Sequence, residues 1–338
     1  MRKAWLLLVV LLLCIGAVGC QRQSSIQDDP DKINVTATIF PPYDFTREIA
    51  GDQVNLRLLL PPGGESHSYE PTPQDMIAIQ NSDIFIYSGG ESDAWLDDIL
   101  ASMDTSHMQL ISLMECVDTV EEEVVEGMQA DAHHESDEHH ESEEHHESEE
   151  HHESDAHAHA EDVEYDEHVW TSPVNAILIT EQITKALQTA DTKNEDFYQK
   201  NCDAYIAKLE TLDQEFHDLV SGAAHKVLIF GDRFPFRYFT EEYGLEYYAA
   251  FPGCSAETEP SAATISFLIN QVKTEQIPVV FHIEFSNEKV ADAICESTGA
   301  KKLLFHSCHT VDQADMDAGV SYLSIMQGNL KNLKEALQ

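Results

Sequence analysis

The sequence predicts an α/β protein of two lobes, each a mostly parallel sheet flanked by helices, joined by one long rigid helix. Three observations predict it. Short β-branched runs alternate with helical segments through residues 33–112. The same rhythm resumes after residue 226. Between the two stretches, from about Asn194 to Leu219, apolar side chains recur at steps of four and three, the stripe of an amphipathic helix. Two α/β lobes on either side of a helix imply a cleft, and clefts between lobes are favoured ligand sites.

Taken in order, INVTATIF (33–40) reads as a strand ended by a turn at Pro41-Pro42, and Phe45 to Ala50 as a short helix closed by Gly51. VNLRLLL is a second strand, stopped by PPGGES. Pro73 to Ile79 is a helix with Thr72 as its cap. DIFIYSGG is a third strand, Trp95 to Met103 a helix and MQLISL a fourth strand. Pro173 to Leu187 is a helix that precedes the long one, whose stripe is Tyr198, Cys202, Tyr205, Leu209, Leu212, Phe216 and Leu219. In the second half KVLIFG, LEYYAAF, IPVVFHIEF and KKLLFH are strands. FRYFTEEYG, Ser261 to Thr274, Glu288 to Thr298 and Gly319 to Leu337 are the helices between and after them.

Residues 117–164 interrupt the pattern and are expected to be a disordered acidic insertion in a loop. Within it, 133–156 read HHESDE HHESEE HHESEE HHESDA, followed by HAHA. The repeat carries no large apolar side chain, so it builds no core. It does concentrate carboxylates and imidazoles, namely His133, His134, His139, His140, His145, His146, His151, His152, His157 and His159. These are ligand types that zinc accepts. Tethered beside a cleft, they form an accessory loop that raises local metal concentration or buffers spare ions.

The 338 residues carry 62 acidic against 19 basic side chains and a formal charge of −43, which excludes nucleic acid as a partner. No Lys or Arg occurs between Arg57 and Lys185. The N-terminus, MRKAWLLLVVLLLCIGAVGC, is a secretory signal. Its end, Ala17-Val18-Gly19-Cys20, resembles a bacterial lipobox, which implies lipid attachment at Cys20. The expected organisation is a signal peptide (1–20), a tether (21–31), a first lobe (32–190), a linking helix (191–222) and a second lobe (223–338). Cys116, Cys202, Cys254, Cys295 and Cys308 are an odd number with no CxxC, so no disulfide pairing follows.

Four histidines outside the repeat, His67, His168, His306 and His309, fall after strands or at the re-entry from the insertion. In open α/β sheets ligands sit there, beyond the carboxyl ends of the strands. Imidazoles converging with a carboxylate make a tetrahedral zinc site. His282 and Glu284 alternate on one strand and are expected to point the same way.

The segments TIFPPYDFTREIAGD, LLLPPGGESHSYEPTPQDM, DIFIYSGG and EHVWTSPVNA closely resemble the metal-binding subunit of bacterial zinc and manganese ABC importers. The likeness runs through to YLSIMQGNLKNLKEAL. It implies two α/β lobes on a rigid helix with the metal between them, and His67 and His168 as ligands from the first lobe. The family's third ligand position falls on Arg233, which cannot ligate because it keeps its proton and has no lone pair to give. Arg233 is instead expected to pair with a carboxylate, Glu284 first. The fourth family position aligns with His306. The expected set is thus His67, His168 and His306, with the fourth place open to His309, Glu284, Asp232 or a water. Three or four imidazoles favour Zn2+ over Mn2+, which stays possible.

The function expected from the resemblance is capture of extracytoplasmic Zn2+ and delivery to an ABC permease and its ATPase. The protein is expected to be a monomer, with no enzymatic activity, lipid-anchored on the outer face of the cytoplasmic membrane. Alternatives are a surface metal buffer or adhesin working through the His-rich loop, and a secreted zinc hydrolase. Against the last, the chain has no HExxH and no GxSxG.

Overall fold

The computed structural model describes residues 28–66, 68–128, 164–255 and 259–338. The described residues from Ile33 onward form one compact unit, which holds both sheets. Among the described residues no helix is long and apolar enough to cross a membrane.

The first sheet takes β1 (Asn34–Ala37), β2 (Asn55–Leu58), β3 (Ile84–Tyr87) and β4 (Gln109–Ser112) in the order β2-β1-β3-β4. The second takes β5 (Val227–Phe234), β6 (Glu246–Pro252), β7 (Val279–His282) and β8 (Lys301–Leu304) in the order β6-β5-β7-β8. Every pairing is parallel. Both sheets therefore reverse strand order beside their first strand, which opens a crevice at the carboxyl ends.

Helix α1 (Phe40–Ala50) starts earlier than the sequence suggests. Pro41 and Pro42 do not form a turn; they occupy the first helical positions, where their missing N–H groups cost nothing. Helix α2 (Pro73–Gln80) has the expected Thr72 cap, closed into a reciprocal pair with Asp75. Helix α3 (Trp95–Ser102) precedes β4, and α4 (Pro173–Ala190) begins behind a Ser172 cap.

The long helix, α5 (Glu195–Ser221), has 27 residues, about 40 Å of rod. Its stripe is buried as expected, from Tyr198 through Phe216, with Val220 rather than Leu219 completing the buried face. Tyr205 meets Phe45 of α1 at 6.2 Å between ring centroids. Three turns on, Phe216 meets Phe239 of α6 (Arg237–Tyr243) at 5.0 Å. One helix thus packs on both lobes. Helices α7 (Ala262–Thr274) and α8 (Lys289–Thr298) cover the second sheet. A short helix, α9 (Gln313–Ala318), ends at left-handed Gly319, and the expected C-terminal helix follows it behind a Ser321 cap as α10 (Tyr322–Ala336).

The acidic segment is more ordered at its edges than expected. Glu121 bridges Tyr165, Glu122 N–H donates to Glu164 O at 3.0 Å, and Asp166 N–H donates to Val120 O at 3.0 Å. The whole His repeat lies outside the described residues, as does Cys20.

Candidate metal centre

The crevice between the lobes encloses about 160 Å³, lined by Gly63, Glu65, His168, Arg233, Glu284 and His309 among others. The carboxyl ends of β2, β5, β7 and β8 all deliver residues to it.

His168 stands on the first-lobe wall, 1% exposed. Its backbone N–H donates to Asp166 Oδ1 at 2.7 Å, and its ring Nδ1 lies 3.0 Å from the same oxygen. The carboxylate therefore fixes the proton on Nδ1 and leaves Nε2 as the lone-pair atom, an arrangement common behind zinc-bound imidazoles. Burial opposes protonation and is the largest single effect. Asp166, Glu167 and Glu122 outweigh it and hold the imidazole above its ordinary range. Glu167 and Glu122 are themselves raised, chiefly by burial.

His309 faces His168 from the second lobe, ring centroids 5.8 Å apart. Trp170 is fully buried behind both rings, 5.4 Å from His168 and 5.2 Å from His309. Its Nε1–H donates to Ser307 O at 2.8 Å, and Tyr322 Oη–H donates to Trp170 O at 2.8 Å. Glu284 accepts from Ser307 N–H at 2.8 Å and from the Ser307 hydroxyl, so its first task is to hold the loop that carries His309.

The structure places the other expected residues differently. His306 does not line the crevice. Its Nδ1 accepts from Cys308 N–H at 3.0 Å and lies 3.4 Å from Glu284 Oε2, while Asn329 holds its backbone from behind. Cys308 has φ 65, and this left-handed residue turns the chain between the two histidines. Arg233 pairs with Glu65 at 3.0 Å rather than with Glu284, and so ties the two lobes across the crevice mouth. Asp232 is buried and accepts from Arg233 N–H at 2.9 Å and Ile283 N–H at 3.3 Å. It borders a neighbouring cavity of about 270 Å³. His282 and Glu284 do not share a face, because β7 ends at His282 and the His282 ring turns back to Ile283 O at 3.0 Å. His67 lies outside the described residues, though Gly63, Gly64 and Glu65 just before it line the crevice. The five described cysteines are all unpaired with one another.

Sequence reasoning missed Glu65 as the partner of Arg233. It also missed Glu122, Asp166 and Glu167 as the charged surround of His168. The signal for the last two was their place directly before the histidine, in EYDEHVW.

Comparison with known proteins gives a consistent picture. The model of the family described as the zinc-uptake complex component A, periplasmic (ZnuA), matches residues 35–336. The high-affinity zinc uptake system protein ZnuA of Bacillus subtilis is 33% identical over 341 residues, covering 100% of this chain and 99% of that protein. The zinc-binding lipoprotein AdcA of Streptococcus pneumoniae is 30% identical over 97% of this chain, which spans 60% of AdcA. Among solved structures, the Zn(II)-bound ZnuA-like domain of that AdcA superposes with a TM-score of 0.69 at 28% identity, covering 90% of this chain and 99% of the domain. The metal-dependent lipoprotein YcdH of B. subtilis superposes with a TM-score of 0.71 at 29% identity, covering 91% and 100%.

Proposed function

This chain belongs to the ZnuA family of periplasmic zinc-uptake components, and from that premise we propose that it captures Zn2+ outside the cytoplasm in the crevice between its lobes and presents it to an ABC importer. The observation that carries the site is the pair His168 and His309, brought from opposite lobes to face each other across one small crevice. Two imidazoles on opposite walls grip an ion more tightly than either lobe can alone. A borderline ion with nitrogen ligands is zinc before manganese. His67 is the further first-lobe ligand on the strength of its place in the sequence, and the His-rich loop is an accessory donor. His306 acts on the loop rather than on the ion.

The partner is a permease with its ATPase, met from the outer face of the membrane by a monomer tethered through a lipid on Cys20. The chain acts as a carrier, so no bond is made or broken. Lobe motion is small, because Gly63 N–H donates to Val311 O at 2.8 Å and Tyr238 Oη–H donates to Asp166 O at 2.6 Å, both bonds running between the lobes. Release therefore needs the permease to disturb one wall, since tight binding and fast release require a second state.

Calorimetric titration of the mature chain lacking residues 131–161, with Zn2+ and Mn2+ in separate runs, tests this reading. One tight Zn2+ site is expected. His309→Ala should weaken it by about 100-fold or more, the scale of outer-shell losses at the least, and His306→Ala by less than about 10-fold. If all binding disappears with residues 131–161, the crevice is not the site and the protein is a buffer that works through its repeat.

A further inference from the structure

With His67, His168 and His309 on the ion, a four-coordinate zinc shell has one place left, and the family position for a further second-lobe donor falls on Arg233. The structure shows what Arg233 does instead. It sits on β5, whose register with β6 shifts between Phe230 and Arg233, and irregularities of this kind re-aim a side chain. A Cβ at Gly231 would meet Ala291 Cα of α8 at 2.5 Å, so glycine lets the strand lie against that helix at the shift. Arg233 lines the crevice, where its Nη2–H donates to Glu65 Oε2 at 3.0 Å and its Nη1–H to Ser255 O at 3.4 Å.

The backbone of Glu65 is held close to the other donors. Two residues before it, Gly63, at φ 73, donates its N–H to Val311 O at 2.8 Å and to Thr310 Oγ1 at 3.1 Å. Thr310 directly follows His309, so the loop that carries Glu65 is stitched to the loop that carries His309. Glu65, Arg233, His168 and His309 all line the same crevice of about 160 Å³. The Arg233 side chain is 22% exposed and that of Glu65 46%, so the guanidinium is the anchored partner and the carboxylate the one that can turn. A carboxylate has about four lone-pair sites, so accepting from Arg233 leaves it able to bind a metal as well. A guanidinium facing the ion directly would repel it. Behind a ligating carboxylate, the same group becomes the hydrogen-bond partner that orients the ligand.

We propose that Glu65 is a ligand of the captured ion and that Arg233 is the residue that positions it, so that the second lobe grips the ion through the Arg233–Glu65 pair at the place where a direct donor is expected. This rests on the reading of the crevice as the capture site. The donor atoms of Glu65, His168 and His309 do not all stand within 4.8 Å of one another. The carboxylate therefore turns inward when the ion arrives, with one oxygen on the ion and the other still on Arg233. Three imidazoles and one carboxylate then make a tetrahedral set, in which nitrogen still outnumbers oxygen and keeps zinc ahead of manganese. The charge of Arg233 is taken up by Glu65 and does not oppose the ion.

The test is a crystal structure of the mature chain loaded with one equivalent of Zn2+, the ion located by its anomalous scattering, together with Zn2+ affinities of variants measured by competition. An ion in the crevice is expected, with a Glu65 oxygen about 2.0–2.2 Å from it and Arg233 on the same carboxylate. Glu65→Gln should weaken Zn2+ by about 100-fold or more, and Arg233→Gln by about 10- to 100-fold, the range for partners behind a ligand. The sign of the second change is decisive, because taking a positive charge away from a cation would otherwise tighten binding. Arg233→Lys keeps the charge but loses the planar fork, and should fall between Arg233→Gln and the parent. The crystal structure needs no variant, so a misfolded substitution leaves the question decidable. An ion in the crevice with Glu65 more than about 3 Å away, well beyond a zinc–oxygen bond, overturns the proposal and leaves the crevice reading standing. So does an Arg233→Gln protein that binds more tightly than the parent. An ion found only outside the crevice removes both.

Discussion

On the first-lobe side of the crevice, His168 sits among Glu122, Asp166 and Glu167, three carboxylates gathered about one imidazole. On the second-lobe side, His309 rides a loop whose nearby carboxylate, Glu284, is already engaged by Ser307 and whose backbone is held by Trp170 and Asn329. The first wall is an excess of negative charge that a cation relieves. The second is a hydrogen-bonded frame that presents an imidazole at a set distance. A carrier needs both, since charge supplies affinity and the frame supplies the geometry that chooses among ions.

The largest test removes what the walls share. Trp170 packs on both histidines and bonds Ser307, so Trp170→Ala should lower folding stability by about 3–5 kcal/mol, as large-to-small core changes do. Chemical denaturation of the metal-free protein measures it. Trp170→Phe restores much of the packing but not the Nε1–H bond, and should lie between. If the alanine variant is as stable as the parent, the walls are not coupled through this ring.

The charge on the first wall makes a second prediction. Asp93, buried and accepting from Gly89 N–H at 3.0 Å, is pushed from 3.8 up to about 7, chiefly by burial and with help from Glu167. The folded state therefore holds this proton more tightly than the unfolded chain. That stability is complete below 3.8 and lost as pH rises through about 7. Metal-free protein should be more stable at pH 5 than at pH 8, with Asp93 accounting for about 3 kcal/mol of the difference. Asp93→Asn should flatten the profile by that amount. Asp44, raised to about 6 mainly by burial, acts in the same sense and remains in the variant. A profile unchanged in Asp93→Asn would remove this residue from the account.

The two walls also differ in how well they could be read from sequence. His168 is placed by a carboxylate two residues earlier, and local order of that kind survives in the letters EYDEHVW. The stripe of α5 was legible for the same reason, because a helix converts spacing into a face. The second wall depends on turns that composition does not announce. The choice between His306 and His309 hangs on Cys308 at φ 65, and the orientation of Glu284 on β7 stopping at His282 with Phe285 at φ 57. Non-glycine residues rarely adopt such values, so a sequence reading extends the strand and the alternation too far. Pro41 and Pro42 misled in the opposite direction, since proline suits a turn and a first helical turn equally well.

The smallest effect decides which wall supplies affinity. Asp166→Asn keeps the volume and an oxygen facing Nδ1 but removes the charge behind His168. It should weaken Zn2+ by about 10- to 100-fold, the range for carboxylates behind zinc-bound imidazoles. Glu284→Gln is the matching change on the second wall. Its partners there, Ser307 N–H and the Ser307 hydroxyl, are neutral donors that an amide oxygen can still satisfy in part. The loss should stay under about 10-fold, because neutral hydrogen bonds are individually modest. Competition with a zinc indicator, run on both variants at one pH and salt, gives the order directly. If Glu284→Gln costs more than Asp166→Asn, the carboxylate of the second lobe touches the ion itself, and the division into a charged wall and a framing wall is wrong.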